Sequence, residues 1–433
     1  MPGSGLIPGA KGRPASALGL RAVMLLLGVS WLSLATGPAS PALGTLVTGK
    51  GDRYRPLGHS SPPAVKPPND PLFKYQWNLA AIQLPGAWAV SRGAGTTVAV
   101  LDTGVAYEDR GIYRRAPDLA GTRFVAGWDF VKNDAHPDDV PPPGRRSHGT
   151  QIAGIIAQTT DNGIGGAGVA PEAAIMPIRV LNPDLTGSAR TIARGLRFAA
   201  DHGANVANLS IAGPSGARVL KDAIDYASSK GVIIVAAAGN DGRPSVSYPA
   251  AYAKVIAVGA VAQDRTRAYY SNYGRALDLV APGGAGEDVD AGYGPGDGVL
   301  AQTLKDRPSE FCYCFTASTS AAAAQVSGVA ALLVGSRRAT SPAEVRAALL
   351  SSAQDLGPRG WDPAYGAGLV QAWSALAAYG HLPGSPPVRA VPRPSGPPWS
   401  VWLTLATAAA GFAGLVGLSL ARRRRGRVRP DVA

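Results

Sequence analysis

Cysteine is nearly absent from this chain. Its 433 residues hold two, Cys312 and Cys314, in the triplet CYC. Two thiols exclude a disulfide-built scaffold and make a poor metal site. A bridge between residues i and i+2 is a demanding geometry. The pair therefore keeps three readings: no catalytic role, a link to another chain, or a strained local bridge. Charge is sparse as well, at 16% of residues, and much of the formal net charge of +13 is local. Arg422 to Arg425, Arg427 and Arg429 crowd the C-terminal end. The middle of the chain has no basic cluster with interleaved aromatics, which excludes the usual footprint of a nucleic-acid binder. No internal repeat stands out, so a solenoid is not expected.

Long apolar runs occur at the two ends, and they differ in kind. Lys11, Arg13 and Arg21 precede AVMLLLGVSWLSLA, and a tail of small residues follows. A basic head, a short apolar run and small residues make a secretory signal, assigned to residues 1–42 with cleavage near 36–43. Residues 43–68 are a Pro-rich extension, and residues 69–380 form the body. A second Pro-rich stretch, residues 381–398, reads as an extended spacer. Residues 399–421, WSVWLTLATAAAGFAGLVGLSLA, contain no charge and suffice to cross a bilayer. Trp399 and Trp402 suit one interface, and the arginines of residues 422–433 suit the cytoplasmic side. The expectation is a body on the outer face of the cell membrane, tethered by one C-terminal helix. A sorting signal that is later removed is the alternative for that tail.

In the body, strand-length apolar runs alternate with amphipathic helix patterns. TTVAVLDTG, AAIMPIRVL, ANVANLSIAG, GVIIVAAAGN and KVIAVGAV are rich in Val, Ile and Ala and end in Gly, Asn or Asp. Such runs read as strands buried on both faces of a mainly parallel sheet. SARTIARGLRFAADHG and GARVLKDAIDYASSKG place apolar residues three and four apart and stop at Gly203 and Gly231. The alternation predicts a doubly wound α/β domain with its sites beyond the carboxyl ends of the strands.

Three residues near those ends carry chemistry. Among His59, His136, His148, His202 and His381, His148 alone sits in a glycine-supported turn that opens an apolar helix, SHGTQIAGIIA. A general base needs such a partly shielded place. Asp102 closes the apolar run VAVLD, where a carboxylate is costly to bury without a partner. A histidine ring is one such partner, and a turn cap is the plainer role. Ser320, in FTASTSAAAAQVSG, is by itself more often a helix cap than a nucleophile.

Taken together, Asp in LDTG, His in SHGT and Ser in TSAAAA, in that chain order, resemble the subtilisin-like serine proteases, whose Asp-His-Ser order is itself a known family signature. The likeness runs from about Asn69 to Tyr379 and includes GWDFV, GVAPEAAIMPIRVL, VAAAGNDG, YPAAY, SNYG and DLVAPGG. It implies a subtilisin-like peptidase domain over residues 69–380, acting on polypeptide substrates. It further implies a triad of Asp102, His148 and Ser320, with Asn240 in AAAGN as an oxyanion donor. Substrate would bind as an added strand beside Ser210, Ile211 and Ala212, where alanine stands in place of the usual glycine. Residues 182–188 would form the facing wall of the cleft.

The body resembles the thermitase-like branch, which implies one structural calcium ion. Asp70 in PPNDPLF, Asp118 in APDLAG and Asn162 in TTDNGIG match its ligand positions, with the carbonyls of Thr159, Ile164 and Gly166 completing the set. The overall layout resembles the mycosins, membrane-anchored subtilases of type VII secretion, and this brings secretion-system partners into view. The chain departs from the family pattern G-T-S-M-A-x-P-H-V-x-G at Ser318, Ala321, Ala324 and Gln325. Ser318 is expected to crowd the approach of substrate. A catalytically impaired fold serving as a membrane-tethered binding module is the rival reading. Residues 43–68 are also too few and too Pro-rich for a folded intramolecular chaperone.

Overall fold

The structure, a computed structural model, describes residues 61–285 and 297–379. The expected signal, most of the N-terminal extension, the spacer, the membrane anchor and the basic tail lie outside these residues. Among the described residues no helix is long and apolar enough to cross a membrane.

Two short helices, α1 (Trp77–Ala81) and α2 (Leu84–Ala87), lead into β1 (Thr97–Asp102). The chain continues through β2 (Trp128–Asp129), α3 (Gly149–Ala157), β3 (Ala174–Arg179), α4 (Ala189–Asp201) and β4 (Val206–Leu209). Next come α5 (Arg218–Ser229), β5 (Ile233–Ala237), β6 (Val255–Val261) and β7 (Leu279–Pro282). A hairpin of β8 (Val299–Leu304) and β9 (Phe311–Thr316) precedes α6 (Thr319–Gly335), α7 (Pro342–Ser351) and α8 (Ala372–Tyr379). The seven strands β1 to β7 form one parallel sheet in the order β2-β3-β1-β4-β5-β6-β7. β8 and β9 pair antiparallel with each other. This is the mainly parallel doubly wound α/β fold that the strand–helix alternation predicts.

Helices cover both faces of the sheet, so its strands run apolar on both faces rather than on alternate residues. One face carries Leu101, Ile178, Leu209 and Ile234 against Ile192, Leu196, Leu220 and Ile224 of α4 and α5. Within each helix those residues stand four apart, as a helix with one buried stripe requires. Ser188 caps α4 by accepting from the Thr191 N–H, and left-handed Gly203 and Gly231 follow the two helices. The opposite face packs Val98, Val100, Val206, Val235 and Val258 against α3 and α6. α6 has no exposed stripe, because every residue from Thr319 to Leu333 is buried. A helix that is apolar all round belongs in the middle of a core, and here its N-terminus comes up at the ends of β4 and β5.

Candidate active site

β1 delivers Asp102 at its last position, fully buried. α3 begins one residue after His148, and Gly149 decides how close that helix comes to β1. A Cβ on Gly149 would stand 2.1 Å from the Gly104 carbonyl oxygen and 3.0 Å from the Asp102 Cβ. With glycine there, His148 Nδ1 lies 2.8 Å from Asp102 Oδ1, which also accepts from the Thr103 N–H. Burial pulls the His148 pKa down, but the charge and hydrogen bond of Asp102, helped by the charge of Asp139, outweigh it and leave it raised. The ring is thus held in one orientation by a carboxylate that favours its protonated form.

Ser320 is the second residue of α6, and the capping role expected of it falls to its neighbour. Ser318 is the N-cap, its Oγ accepting from the Ala321 N–H at 3.2 Å. Its hydroxyl is therefore turned to its own helix, which offers an alternative to the expected crowding of substrate. The Ser320 Oγ donates to the Ser210 carbonyl at 3.4 Å, and the Ser210 Oγ donates back to the Ser320 carbonyl at 3.0 Å. Asn208 and Ser327 extend this buried polar line behind them. Asn240, just past β5, accepts from the Thr319 N–H at 2.9 Å and from its hydroxyl at 2.7 Å, both on Oδ1. Its Nδ2 is left as the donor end. Gln325 is consumed structurally: its amide donates to the Pro282 and Ala321 carbonyls and accepts from Asn78.

His148, Ser320, Asn240, Ser210, Ile211 and Ala212 line one cleft of about 380 Å3. Leu181, Pro183 and Leu185 stand in it too, so the segment 182–188 contributes a wall as expected. His136 is bonded instead to Glu108, and His202 to the Phe198 carbonyl. His59 and His381 lie outside the described residues. Cys312 and Cys314 form a disulfide within β9, the local bridge among the three readings.

Comparison with known proteins supplies the family. The Subtilase family (Peptidase_S8) model matches residues 93–368. Thermitase of Thermoactinomyces vulgaris is 37% identical over 310 residues, covering 71% of this chain and 99% of thermitase. Subtilisin BL of Lederbergia lenta is 38% identical over 300 residues, covering 69% of this chain and 97% of that protein. A solved protease from Pseudoalteromonas arctica PAMC 21717 superposes with a TM-score of 0.64 at 32% identity, covering 72% of this chain and all of the other.

The chain belongs to the subtilase family.

As a subtilase it is a serine-type endopeptidase. One buried group beside the site escapes a reading by motif. Asp139 is buried, and its Oδ1 accepts from the Thr103 hydroxyl at 2.8 Å and from the Val140 N–H at 3.0 Å. Its Oδ2 accepts from the Ser147 hydroxyl and from both the N–H (2.9 Å) and the hydroxyl (2.6 Å) of Thr150. Thr103 in turn accepts from the Gly149 N–H at 3.0 Å. The residues that hold Asp139 therefore flank Asp102 on one side and His148 on both. The only hint in the sequence was an acidic pair, Asp138-Asp139, in a loop nine residues short of the histidine.

The six residues assigned to calcium also meet in one place. Asp70 and Asp118 are buried, and the loop carrying Thr159, Asn162, Ile164 and Gly166 closes over them. The Asp161 and Asn162 N–H groups donate to Asp70; Asn162 Nδ2 and the Gly166 N–H donate to Asp118. Burial pushes Asp118 up to about 6, relieved in part by Asn162 and Gly166 and aggravated by the charge of Asp70. Among the described residues no group of three His, Cys, Asp or Glu side chains could hold a metal.

Proposed function

We propose that this subtilase is a secreted, membrane-anchored endopeptidase that cuts peptide bonds with Ser320 as nucleophile. The observation that carries this reading is the 2.8 Å contact of His148 with Asp102 in the cleft that also holds Ser320 and Asn240. Ser320 attacks the scissile carbonyl while His148 takes its proton and passes it to the leaving amine. Asp102 fixes the ring's tautomer and stabilises its cation without itself taking the proton. The oxyanion is met by Asn240 Nδ2, whose other end Thr319 holds, and by the backbone N–H of Ser320 at the positive end of α6. Water then releases the acyl group by the same proton path. A fluorophosphonate probe should label the wild type and not Ser320→Ala, whose kcat should fall by about 10⁶, the loss known for subtilisin's own serine. Absence of labelling in folded wild type would favour a binding module instead.

Substrate adds as a strand beside Ser210 to Ala212, where main-chain hydrogen bonds give affinity without sequence preference. Ala212 is exposed in the cleft, so its methyl group narrows the first pocket. Ala212→Gly should then widen acceptance of large residues before the cleaved bond. A peptide-library profile identical to wild type would refute that. Secretion and anchoring rest on residues 1–42 and 399–433, whose basic, apolar and Arg-rich order puts the body outside and the C-terminus in the cytoplasm. The mycosins share that layout, and secretion-system partners are proposed on that likeness alone.

Calcium fits the Asp70–Asp118 site. The set is all oxygen, two buried carboxylates with an amide and backbone carbonyls, the donor type calcium takes. A Cβ on Gly165 would lie 1.9 Å from Asp118 Oδ2, so the loop is shaped to close on that carboxylate. Asp70, Asp118, Asn162 and the carbonyls of Thr159, Ile164 and Gly166 would hold the ion. Its role is structural, to neutralise two carboxylates buried side by side.

A further inference from the structure

We propose that the Cys312–Cys314 disulfide is a thiol–disulfide exchange site that sets the activity of the enzyme. Closed, it holds base and nucleophile in register; opened by a dithiol, it lets catalysis fall while the fold stands. This rests on the assignment of Ser320 and His148 as the reacting pair. The bridge joins the two cysteines of the chain, and both are half-buried on β9. A disulfide that works as a staple gains from the length of the loop it closes. The loop here holds one residue, Tyr313, so little global stability comes from closing it. The position of the bridge points to a local task instead.

The β8–β9 hairpin stands between the two reacting residues. Hydrogen bonds tie it to the segment around His148. The Ser147 N–H donates to the Leu304 carbonyl at 3.1 Å, and the Ser147 carbonyl accepts from the Thr303 hydroxyl at 2.7 Å. Gln151 Nε2 donates to the Cys314 carbonyl at 2.9 Å, and Arg146 Nη1 to the Phe315 carbonyl at 3.2 Å. Thr303 and Ala301 of β8 are the partners of Cys312 and Cys314 in the hairpin, so the bridge lies on the stretch that these bonds hold. Toward the nucleophile, β9 ends at Thr316, and Phe315 to Ser318 line the cleft on the way into α6. Side chains alternate along a strand, so Tyr313 faces away from the bridge. Its ring lies on the 159–166 loop, where a Cβ on Gly165 would stand 2.4 Å from its Cε1.

In the exchange, a thiolate of the dithiol attacks one sulfur of the bridge, the S–S bond breaks and a mixed disulfide forms. The second thiol of the reagent then displaces the protein, leaving Cys312 and Cys314 as thiols and the reagent as its own disulfide. Two electrons and two protons pass to the protein. The carbonyls that Gln151 and Arg146 hold then belong to a strand free to shift. A displacement of about 1 Å in a catalytic geometry lowers a rate by up to about a hundredfold, and a loosened hairpin is expected to lower it about tenfold.

The test uses the full-length protein, an internally quenched peptide and dithiothreitol. Alkylation read by mass should find no free thiol before reduction and both cysteines afterwards. Reduction should lower kcat/KM about tenfold, mainly through kcat, and reoxidation should restore it. The double variant Cys312→Ser, Cys314→Ser should stay at the reduced level and not respond to dithiothreitol; the wild-type comparison stands whether or not that variant folds. In the Ser320→Ala background reduction should lower the melting temperature by no more than a few degrees. Reduced protein with both thiols alkylated and kcat/KM within about twofold of the oxidised form would overturn the proposal alone. So would a bridge that resists excess dithiothreitol in folded protein, or a loss of activity matched by unfolding, which would make the bridge a staple. Oxidised wild type that a fluorophosphonate does not label and that cuts no peptide would overturn the assignment of Ser320 and the proposal with it.

Discussion

Asp139 touches nothing that reacts, yet Thr103, Ser147 and Thr150 all close on its carboxylate, and His148 sits among them. Its buried charge acts on His148 in the same direction as that of Asp102. The sign follows directly. With His148 as the proposed base, hydrolysis needs it neutral, so kcat/KM is lost as pH falls through a pKa raised above the ordinary histidine value. Asp139→Asn removes one of the two raising charges and should move that acid limb to lower pH. It also sets an amide N–H against the N–H or hydroxyl of Thr150, so kcat should drop by roughly tenfold, the scale of one unmade buried hydrogen bond. A filler role alone would lower the melting temperature and leave the limb where it was. Asn240 is a separate matter, because in the proposed mechanism it meets the oxyanion and not the base. Asn240→Ala should cost about 10²–10³ in kcat with little change in KM, the size of effect known for subtilisin's own asparagine donor. Equal losses in both variants at every pH would contradict this division of labour.

At the scale of the element, α6 shows how a serine pair divides its work. Ser318 closes the helix and so fixes where Ser320 stands. Ser318→Ala should cost about 1 kcal/mol of stability and Ser318→Gly only a few tenths, because glycine tolerates the cap position without a side-chain acceptor. Thermal unfolding in a Ser320→Ala background, which prevents self-digestion, reads the difference. A melting temperature of the Ser318→Ala variant equal to that of its serine parent would mean that the cap bond does not form. The strands that sequence reasoning found, β1 and β3 to β6, are buried on both faces and mostly apolar. β7 and β8 are as buried, but β7 has only four residues and Gln302 and Thr303 interrupt β8. β2 escaped because it has two residues, and β9 because all six of its residues, Phe311 to Thr316, are only half-buried and show no alternation. At the site, Asp102, His148 and Ser320 were legible through short motifs around each of them. The Asp139 cluster was not, since its partners are hydroxyls from the end of β1 and from the start of α3, and hydroxyls carry no pattern in a sequence.

Over the whole molecule, the segment before β1 sinks Leu79, Ile82, Leu84 and Ala87 into the core and is tied down by polar contacts as well. Asn69 accepts from the Gly163 N–H, Leu72 donates to the Gly165 carbonyl, and Gln76 bonds to Ala167 in both directions and to the Leu300 carbonyl. Asp118 N–H reaches Gln302 of β8, so the same loop system touches the hairpin that leads into α6. Asp70 and Asp118 stand at the centre of these ties, and their mutual repulsion is part of what raises Asp118 to about 6. A calcium ion there would remove that repulsion and lock the N-terminal segment, the 159–166 loop and the hairpin together. Binding at a hundredfold excess over Kd stabilises a fold by about 2.7 kcal/mol, worth several degrees in a domain of this size. In the Ser320→Ala background, EGTA should therefore lower the melting temperature by several degrees. Calcium should restore it, and magnesium, which demands a tighter octahedral shell, should not. Asp118→Ala should melt lower at the outset and respond to neither chelator nor calcium. An unchanged melting temperature on chelation and calcium addition, in protein shown free of metal, would mean that the loop holds its shape by hydrogen bonds alone and that the two carboxylates tolerate each other without an ion.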